Sequence, residues 1–456
     1  MIRKVGLALC LALSVGTVSA QWVDLFNGKD LKGWTQLGGK ATYEVIDNEI
    51  VGTAVPDTPN SFLTTKKKYG DFILELEVFI NSGLNSGIQI RSNTDKGYRD
   101  GVVHGYQVEI DPSSRGWSGG IYDEQRRGWI YPLSRNEKAA SALNKAGWNK
   151  IHIEAIGSEI NTWVNGVQCA RLVDDMTAEG FIGLQVHSIW EDHLKGAQIK
   201  WRNIKILTSG FENEEWDRAP AVSELSYLKN QLTDWEQRNG FRLLWDGTTN
   251  AGWRGAKLDE FPVSGWNMAD GVLTVQKTDG GESTGPGDIV TVNKFANFEL
   301  ELEFKITEGA NSGIKYYVDP SLNKGAGSAI GCEFQILDDE KHPDAKKGVN
   351  GNRTVGSLYD LITADNLSVK DRGKQFKGIG QWNKARIVAK DGKVEHWLNN
   401  EKVVTYDRHS QLFKALVAYS KYAKWENFGQ WPEGCILLQD HGDEVSYRSI
   451  KIRELN

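Results

Sequence analysis

An internal repeat spans most of the 456-residue chain and constrains its fold more than any other feature. Seven segments of the first half recur in the same order in the second half. The matched pairs are 25–34 with 244–253, 71–77 with 297–303, 85–88 with 311–314, 148–150 with 382–384, 163–166 with 397–400, 184–187 with 438–441 and 202–206 with 448–452. Matches in this order indicate a duplication, and they predict two copies of one domain, copy one at 21–207 and copy two at 241–456.

Each copy has the sequence pattern of an all-β domain. Short runs alternate apolar and polar residues between glycine, asparagine and aspartate turns, as at 72–78, 87–91, 106–110 and 150–155. This period of two is typical of half-buried antiparallel strands. The 49 glycines and 17 tryptophans, against 10 prolines, also favour a turn-rich β protein over a helical bundle. We therefore expect each copy to form a two-sheet sandwich or jelly roll.

The segment between the copies, 208–240, has a helical pattern instead. Leu225, Leu228, Leu232 and Trp235 are spaced by three and four residues, and Gly240 follows as a stop signal. The spacing predicts one linking helix whose apolar side packs on one domain or between the two.

The first twenty residues have the order of a secretory signal peptide. Arg3 and Lys4 precede an apolar run at 5–15, and small residues follow up to Ala20. We expect cleavage after Ala20 and a secreted or periplasmic protein. No later segment approaches ~18 uninterrupted apolar residues, so membrane insertion is not expected. The formal net charge of −6 argues against general nucleic-acid binding.

Polar residues at alternate strand positions share one face of a sheet, because successive side chains point to opposite sides. The outward set is Gln89, Arg91, Gln107, Glu109, Asp111, Gln185 and His187 in copy one, and Lys315, Tyr317, Glu333, Gln335, Gln439 and His441 in copy two. A solvated outer face would also be polar. The recurrence of carboxylate, amide and histidine nevertheless favours a functional face. Loop aromatics such as Tyr122, Trp129 and Tyr359, beside such hydrogen-bonding groups, are typical of sugar binding.

The repeated motifs also resemble a known family. They are Leu-Phe-Asn-Gly-Lys-Asp-Leu-Lys-Gly-Trp at 25–34, Asn-Ser-Gly-Ile at 85–88, Gly-Tyr-Gln-Val-Glu-Ile-Asp at 105–111, Trp-Asn-Lys at 148–150 and Leu-Gln-Asp-His-Gly at 438–442. Together, over both copies, they resemble the 3-keto-disaccharide hydrolase domain. The resemblance implies two tandem concanavalin A-like (LamG-like) jelly-roll β-sandwiches, joined here by a short helical linker.

The resemblance also implies a substrate and a route of cleavage. The substrate is an oxidised 3-keto-glycoside or oligosaccharide, which a separate sugar 3-dehydrogenase acting upstream would supply. The ketone at carbon 3 acidifies the hydrogen on carbon 2, so a base can remove it. The aglycone then leaves from carbon 1 by elimination, and added water completes a net hydrolysis. The route needs a base, a group that stabilises the enolate oxygen and an acid for the leaving group.

Carried onto this sequence, the resemblance implies catalytic candidates in each copy. In copy one, His187 or Glu109 is the base and Arg91 stabilises the enolate. In copy two, His441 and Glu333 are the acid/base groups and Lys315 is the stabiliser. The sugar-positioning candidates are Gln89, Gln107, Asp111, Tyr122, Trp129 and Gln185 in copy one, and Tyr317, Gln335, Tyr359 and Gln439 in copy two. No cofactor is certain: the resemblance is compatible with a divalent metal, but the spacing fixes no ligands.

Two questions stay open at the level of sequence. Gln107 aligns with Glu333 and Glu109 with Gln335, so the carboxylate has moved between the copies and either copy can be the catalytic one. The jelly roll also occurs in lectins and binding modules, so a non-catalytic carbohydrate-binding protein is the alternative to an enzyme. Histidine paired with carboxylate on the polar face favours the enzyme.

Overall fold

The structure is a computed structural model that describes residues 21–80, 82–190, 192–278, 281–282, 285, 287–367 and 374–456. The predicted signal peptide, 1–20, lies outside the described residues. Each copy is a sandwich of two stacked sheets, so the prediction of two tandem jelly-roll sandwiches is confirmed. None of the described helices has both the length and the apolar character needed to cross a membrane.

Copy one and the linker contain sixteen described strands and one α-helix. They are β1 (Val23–Asp24), β2 (Trp34–Gly38), β3 (Thr42–Ile46), β4 (Glu49–Thr53), β5 (Ser61–Thr65), β6 (Phe72–Ile80), β7 (Ser86–Asn93), β8 (His104–Ile110), β9 (Ile121–Glu124), β10 (Gly128–Tyr131), β11 (Gly147–Ile156), β12 (Glu159–Val164), β13 (Val167–Val173), β14 (Phe181–Val186), β15 (Gln198–Leu207), β16 (Leu225–Ser226) and α1 (Asp234–Arg238). Short 3₁₀ helices cover Arg99–Gly101, Leu133–Arg135, Glu137–Ser141, Asp192–Leu194 and Phe211–Asn213.

Copy two contains thirteen described strands and one α-helix. They are β17 (Arg242–Leu243), β18 (Trp253–Gly255), β19 (Trp266–Ala269), β20 (Val272–Val275), β21 (Ile289–Thr291), β22 (Phe298–Ile306), β23 (Asn311–Asp319), β24 (Ile330–Leu337), β25 (Asn383–Lys390), β26 (Lys393–Leu398), β27 (Glu401–Asp407), α2 (Gln411–Ala418), β28 (Cys435–Leu438) and β29 (Val445–Glu454). Two 3₁₀ helices cover Pro343–Lys346 and Lys421–Lys424.

The two copies share one strand order. In copy one the larger sheet runs β16-β13-β12-β11-β6-β15-β4-β3, with β1 beside β15, and the smaller sheet runs β10-β9-β8-β7-β14-β5-β2. In copy two the corresponding sheets run β27-β26-β25-β22-β29-β20-β19, with β17 beside β29, and β24-β23-β28-β21-β18. The orders coincide position by position with two differences. No described strand of copy two matches β16, and isolated bridges of Leu358 to Phe334 and Ile362 take the place of the β9–β10 hairpin.

The hydrophobic core of each copy lies between its two sheets. The inward residues of β7 and β8 in copy one, including Ile88, Ile90 and Val108, are fully buried there. Ile314 and Phe334 occupy the matching positions in copy two. The polar residues that alternate with them point to the other side of the smaller sheet. This alternation places a row of polar groups on the outer face of the smaller sheet in both copies.

A β-bulge near the end of β7 reverses the direction of one predicted site residue. The pairing with β8 shifts register after Ile90, and Arg91 has a φ of 45°. Its side chain is 1% exposed: the guanidinium donates to the carbonyls of Gly70 (2.8 Å) and Gly157 (2.7 Å) and pairs with Asp71 (2.9 Å). The predicted outward direction of Arg91 was wrong, because a bulge inserts one residue and interrupts the alternation.

Tyr317 lies at the matching bulge of β23, so its predicted outward direction was wrong for the same reason. It has a φ of 51° and is 1% exposed. Its hydroxyl donates to the Ala296 carbonyl at 2.8 Å, and Ala296 is the equivalent of Gly70. The duplicated bulge therefore holds the same backbone position with an arginine in one copy and a tyrosine in the other.

The linker helix is much shorter than the spacing predicts. The five-residue helix α1 begins after Thr233, which forms a capping box with Glu236. Leu225 lies instead in β16, which pairs in parallel with β13 and extends the larger sheet of copy one. Backbone pairing with an existing sheet edge thus prevails over helical spacing, and the helix predicted through Leu225 was wrong.

Hydrogen bonds join the two copies beside β10. Asn400 Nδ2 donates to the Ile130 carbonyl (3.2 Å) and to the Tyr227 hydroxyl (2.9 Å). Ser134 Oγ donates to the Asn400 carbonyl (3.1 Å), and Lys384 Nζ donates to a carbonyl of the linker (2.9 Å). The turn between β26 and β27 of copy two is thereby fixed against copy one.

Candidate active site

Copy one has a polar cavity of about 310 Å³ on the outer face of its smaller sheet. Strands β8, β9, β10 and β14 contribute side chains, and the adjoining loops complete the rim. The lining residues are Asn60, Asn85, Gln107, Glu109, Arg115, Tyr122, Glu124, Gln125, Trp129, Gln185 and His187. The volume lies at the lower end of the range for small-molecule pockets, ~300–1,000 Å³.

A chain of hydrogen bonds runs along the floor of this cavity. Ser92 Oγ donates to Gln89 Oε1 (2.6 Å), and Gln89 Nε2 donates in turn to Gln107 Oε1 (2.6 Å). Gln107 Nε2 then donates to Glu109 Oε2 at 3.0 Å. Each amide is thereby fixed in orientation, with Glu109 as the final acceptor. Gly87 leaves the necessary room, because a Cβ there would lie 2.4 Å from Gln107 Cδ.

Glu109 is a buried carboxyl surrounded by donors. Asn85 Nδ2 donates to its Oε1 at 2.7 Å, and a terminal nitrogen of Arg115 lies 3.5 Å from the same oxygen. Burial raises the pKa of Glu109, while Asn85, Arg115 and Gln107 oppose the rise. Asp111 holds Arg115 in place by accepting from its Nε at 2.6 Å. A carboxyl with a raised pKa is suited to general acid/base chemistry near neutral pH.

A second buried carboxyl, Glu124, lines the same cavity near His187. It accepts from Asn60 Nδ2 at 3.2 Å and from Gln125 Nε2 at 3.4 Å. Burial raises the pKa of Glu124, and these donors and the nearby His187 oppose the rise. His187 Nδ1 lies 2.7 Å from the Ser188 carbonyl oxygen. An Nδ1–H donated to this carbonyl leaves Nε2 as the nitrogen that exchanges a proton.

Gln185 has hydrogen-bonding capacity that the protein leaves unused. Its side chain is fully buried by protein, yet neither Oε1 nor Nε2 has a hydrogen-bond partner among the described residues. An unpaired buried polar group costs ~1–3 kcal/mol, so a ligand hydroxyl that donates and accepts here would be stabilised. Tyr122 and Trp129, 5.3 Å apart in an edge-on arrangement, add apolar surface at the side of the cavity.

The structure brings most predicted copy-one residues together, namely Gln107, Glu109, Tyr122, Trp129, Gln185 and His187. Gln89 and Asp111 lie behind them, in contact with Gln107 and Arg115. Arg91 lies outside the cavity.

The sequence prediction missed Asn60, Asn85, Arg115, Glu124 and Gln125. Asn85 opens the repeated Asn-Ser-Gly-Ile motif, and Glu124 follows Tyr122 by two along β9, so both carried a usable signal. Loop residues such as Arg115 have no periodicity to reveal them.

Copy two carries different groups at the same positions. Lys315, the equivalent of Gln89, places Nζ 3.7 Å from Oε2 of Glu333, the equivalent of Gln107. Burial raises the pKa of Glu333, while Lys315 and Lys421 oppose the rise. Both lysines line a cavity of about 200 Å³ beside this pair.

Two glutamines of copy two repeat features of copy one. Gln335, the equivalent of Glu109, donates through Nε2 to Asn311 Oδ1 at 3.0 Å, as Asn85 pairs with Glu109. Gln439, the equivalent of Gln185, donates to Glu282 at 3.0 Å. The Oε1 atoms of both glutamines have no partner among the residues that the structure describes.

His441 lies near Glu333, where its charge opposes the rise that burial causes in the pKa of that carboxyl, and it also belongs to a cluster of possible metal ligands in copy two. Ligand atoms of His342, His441 and Asp443 all lie within 4.8 Å of one another. His342 Nδ1 accepts from the Asp344 N–H (3.1 Å), which leaves its Nε2 for a metal. Tyr359 adjoins this cluster, since its hydroxyl donates to Asp344 at 2.6 Å. Two imidazoles and one carboxylate fit a divalent transition metal.

One family model matches both copies of the repeat. A family model described as a 3-keto-alpha-glucoside-1,2-lyase-like domain matches residues 21–207 and 240–453. The chain belongs to this family. Both copies are therefore 3-keto-alpha-glucoside-1,2-lyase-like domains, and the resemblance drawn from the repeated motifs is confirmed.

Similar proteins match about one such domain. A 3-keto-disaccharide hydrolase from Bacteroides thetaiotaomicron is 37% identical over 238 residues, which are 48% of this chain and 79% of that protein. A crystal structure assigned to a glycosyl hydrolase of Parabacteroides distasonis is 30% identical, with a TM-score of 0.44, and covers 50% of this chain and 100% of its own. The carbohydrate-binding module CBM66 of Bacillus subtilis is 16% identical, with a TM-score of 0.28, and covers 38% of this chain and 95% of its own.

Proposed function

We propose that this protein is a secreted or periplasmic enzyme that cleaves 3-keto-glycosides by elimination across carbons 1 and 2 followed by hydration. One observation carries the proposal: a buried carboxyl with a raised pKa, a histidine near a second carboxyl and an unpartnered glutamine amide line one cavity of copy one. The hydrolase from Bacteroides thetaiotaomicron supports the substrate class. A separate sugar 3-dehydrogenase would supply the ketone.

In this proposal Glu109 is the base that removes the hydrogen from carbon 2. Asn85 and Gln107 orient its carboxylate, and the raised pKa makes it a stronger base than an exposed glutamate. The electron pair of the broken C–H bond forms an enolate. Arg115 is the cation next to Glu109 and stabilises the enolate oxygen. It takes the role that the sequence predicts for Arg91, which lies outside the cavity.

His187, with Glu124 nearby, is the acid that protonates the leaving oxygen. Loss of the aglycone leaves a double bond between carbons 1 and 2. His187 then takes a proton from the water that adds to carbon 1, and Glu109 returns its proton to carbon 2. Gln185 holds a sugar hydroxyl through its two unpartnered atoms. Both protons are restored, so the sum is hydrolysis.

In copy two, His342, His441 and Asp443 would hold a divalent metal. When bound, such an ion supplies Lewis acidity to a sugar oxygen. Calorimetric titration of EDTA-treated protein with Mn²⁺ should show binding that the His441→Ala variant loses. Equal binding by the variant would exclude this ligand set.

The first test follows aglycone release from a 3-keto-glucoside and from its unoxidised parent, each with and without EDTA. We expect cleavage of the keto form alone, because only the ketone acidifies the hydrogen on carbon 2. Cleavage of both forms would exclude the elimination route. If neither is cleaved while both bind, the protein is a carbohydrate-binding protein instead.

Histidine variants assign the site within that test. His187→Ala should lower kcat by ~10²–10⁴-fold, the usual contribution of a general acid or base, and His441→Ala should not. If the two single variants and the double variant all cleave like wild type, the acid assignment is wrong. Loss of cleavage in His441→Ala together with EDTA sensitivity would move catalysis to copy two.

A further inference from the structure

A second cavity, of about 220 Å³, opens where the two copies meet. Tyr122 and Trp129 of copy one line both this cavity and the copy-one site, so the two spaces adjoin. The opposite wall belongs to copy two and includes Phe376 and Lys377. The copy-one site thus adjoins, at Tyr122 and Trp129, a cleft that is lined by both copies.

Lys377 carries a donor that the protein does not use. Its side chain is half-buried in the cleft, and Nζ has no hydrogen bond or ion pair to any residue that the structure describes. The adjacent Arg127 is already engaged, through Nε with Asp123 (2.5 Å) and through its two terminal nitrogens with Asp174 (2.6 and 3.1 Å). Burial, together with the charge of Arg127, lowers the pKa of Lys377 to about 8, while the carboxylates of Glu303 and Asp123 oppose the fall. An amine in this setting gains from a ligand that offers an oxygen acceptor.

The wall that carries Lys377 is held in place by copy two. Asn399 Nδ2 donates to the Gln375 carbonyl at 2.6 Å, and the Lys377 N–H donates to Asn383 Oδ1 at 2.8 Å. The neighbouring Asn400 bonds to copy one through Ile130 and Tyr227. Phe376 and Lys377 therefore face the copy-one site from a position fixed by hydrogen bonds on both sides of the junction.

The cleft offers what a sugar ring requires. Trp129 and Phe376 provide apolar surface for the ring hydrogens, and Lys377 provides a donor for a hydroxyl or ring oxygen. Tyr122 and Trp129 are the side chains that the cleft shares with the copy-one cavity, so a ligand longer than one ring would reach the cleft at these two residues.

We propose that the cleft is a subsite for a pyranose ring on the leaving-group side of the scissile bond, with Lys377 as its hydrogen-bond donor and Phe376 as its apolar contact. The subsite deepens the proposed function and rests on it. It makes the second copy part of substrate recognition by the first, and it favours disaccharides over glycosides with a small aglycone.

The test compares Lys377→Met and Phe376→Ala with the parent on two substrates, a 3-keto-disaccharide and methyl 3-keto-glucoside. Lys377→Met removes one hydrogen bond from a charged donor, so it should raise KM for the disaccharide roughly tenfold. KM for the methyl glycoside should stay unchanged. Lys390→Met, at an exposed position of β25, is the matched control and should change neither. Equal changes for both substrates, or none, would overturn the subsite.

Calorimetric binding of the same two sugars separates this proposal from the proposed function. The titrations use three variants: Glu109→Gln, the double variant Glu109→Gln/Lys377→Met, and Lys377→Met alone. If the native chain cleaves neither sugar but Lys377→Met still weakens disaccharide binding alone, the subsite stands and the enzymatic proposal fails. If the disaccharide binds no more tightly than the methyl glycoside in the parent, the subsite is excluded.

Discussion

The two copies share a backbone plan and differ in the charge of one cross-strand pair. In copy one, Gln89 lies opposite Gln107, and their amides are joined by a 2.6 Å hydrogen bond. In copy two, Lys315 lies opposite Glu333, with 3.7 Å between Nζ and Oε2. An amide pair needs no counter-charge, whereas a buried ion pair must offset the desolvation of both groups.

The supports of this pair are the same in both copies. A Cβ at Gly313 would lie 2.1 Å from Glu333 Oε1, just as one at Gly87 would contact Gln107. Asn85 and Asn311 hold the next outward side chain in their respective copies. The duplication has therefore kept the groups that position the site and has changed the side chains that carry its charge.

The walls of the two sites also differ. Copy one carries the regular β9–β10 hairpin, which supplies Tyr122, Glu124 and Trp129, whereas the described part of copy two has only isolated bridges of Leu358 to Phe334 and Ile362 at this place. In copy two, Lys421 and Trp425 line the cavity, and both come from the segment that follows α2. One scaffold thus presents an amide pair that leads to a buried carboxyl in the first copy, and a cavity lined by three lysines in the second.

The largest expected effect tests whether the copies differ as catalysts. Glu109→Gln preserves the size of the side chain but removes the proposed base, so kcat on a 3-keto-glucoside should fall by ~10²–10⁴-fold. Glu333→Gln should change kcat by less than about twofold, because Glu333 contacts no reacting atom in this proposal. The reverse pattern would assign catalysis to copy two, and loss in both variants would indicate that the copies act together.

The fold could be predicted from the sequence because its signals are periodic. The repeat fixed the domain plan, and the period of two correctly assigned Ile88, Ile90 and Val108 to the core. The failures have physical causes. A β-bulge in each copy changes the direction of the Arg91 and Tyr317 side chains. Leu225 pairs with the edge of a sheet and lies in a strand, despite its helical spacing.

The candidate site could be predicted best along β8 and at β14, where the strands alternate regularly. Alternation identified Gln107, Glu109 and Gln185, because a strand residue's face follows from its position. Asn60 and Arg115 come from loops, where position in the sequence does not determine direction. The junction cleft depends on how the two copies dock, and no pattern within one copy encodes that arrangement.

A smaller effect concerns stability. Lys315→Gln leaves Glu333 buried without its nearest cation, which should cost about 3 kcal/mol in the free energy of unfolding. The double variant Lys315→Gln/Glu333→Gln recreates the copy-one amide pair and should recover most of that loss. Urea unfolding followed by tryptophan fluorescence measures both. If the double variant is no more stable than Lys315→Gln, the lysine does not stabilise the fold through its ion pair with Glu333.

The matched glycines provide a prediction of similar or smaller size. Gly87→Ala and Gly313→Ala each force a Cβ against the facing side chain, so each should lower the free energy of unfolding by ~1–3 kcal/mol. Only Gly87→Ala should also lower kcat, because displacing Gln107 releases Glu109 from its orientation. Equal loss of activity in both variants would contradict the assignment of catalysis to copy one.

The smallest expected effect is a shift in the pH profile. Burial raises the pKa of Glu109, and the proposed base acts as a carboxylate, so kcat/KM should increase with pH through that raised pKa. Arg115→Met removes a positive charge that favours the carboxylate, so the acid limb should move to still higher pH. Lys421→Met removes a cation near Glu333 instead and should leave the limb in place. A limb that moved with Lys421→Met and not with Arg115→Met would mean that the titrating base is Glu333, because each cation shifts only the carboxyl beside it.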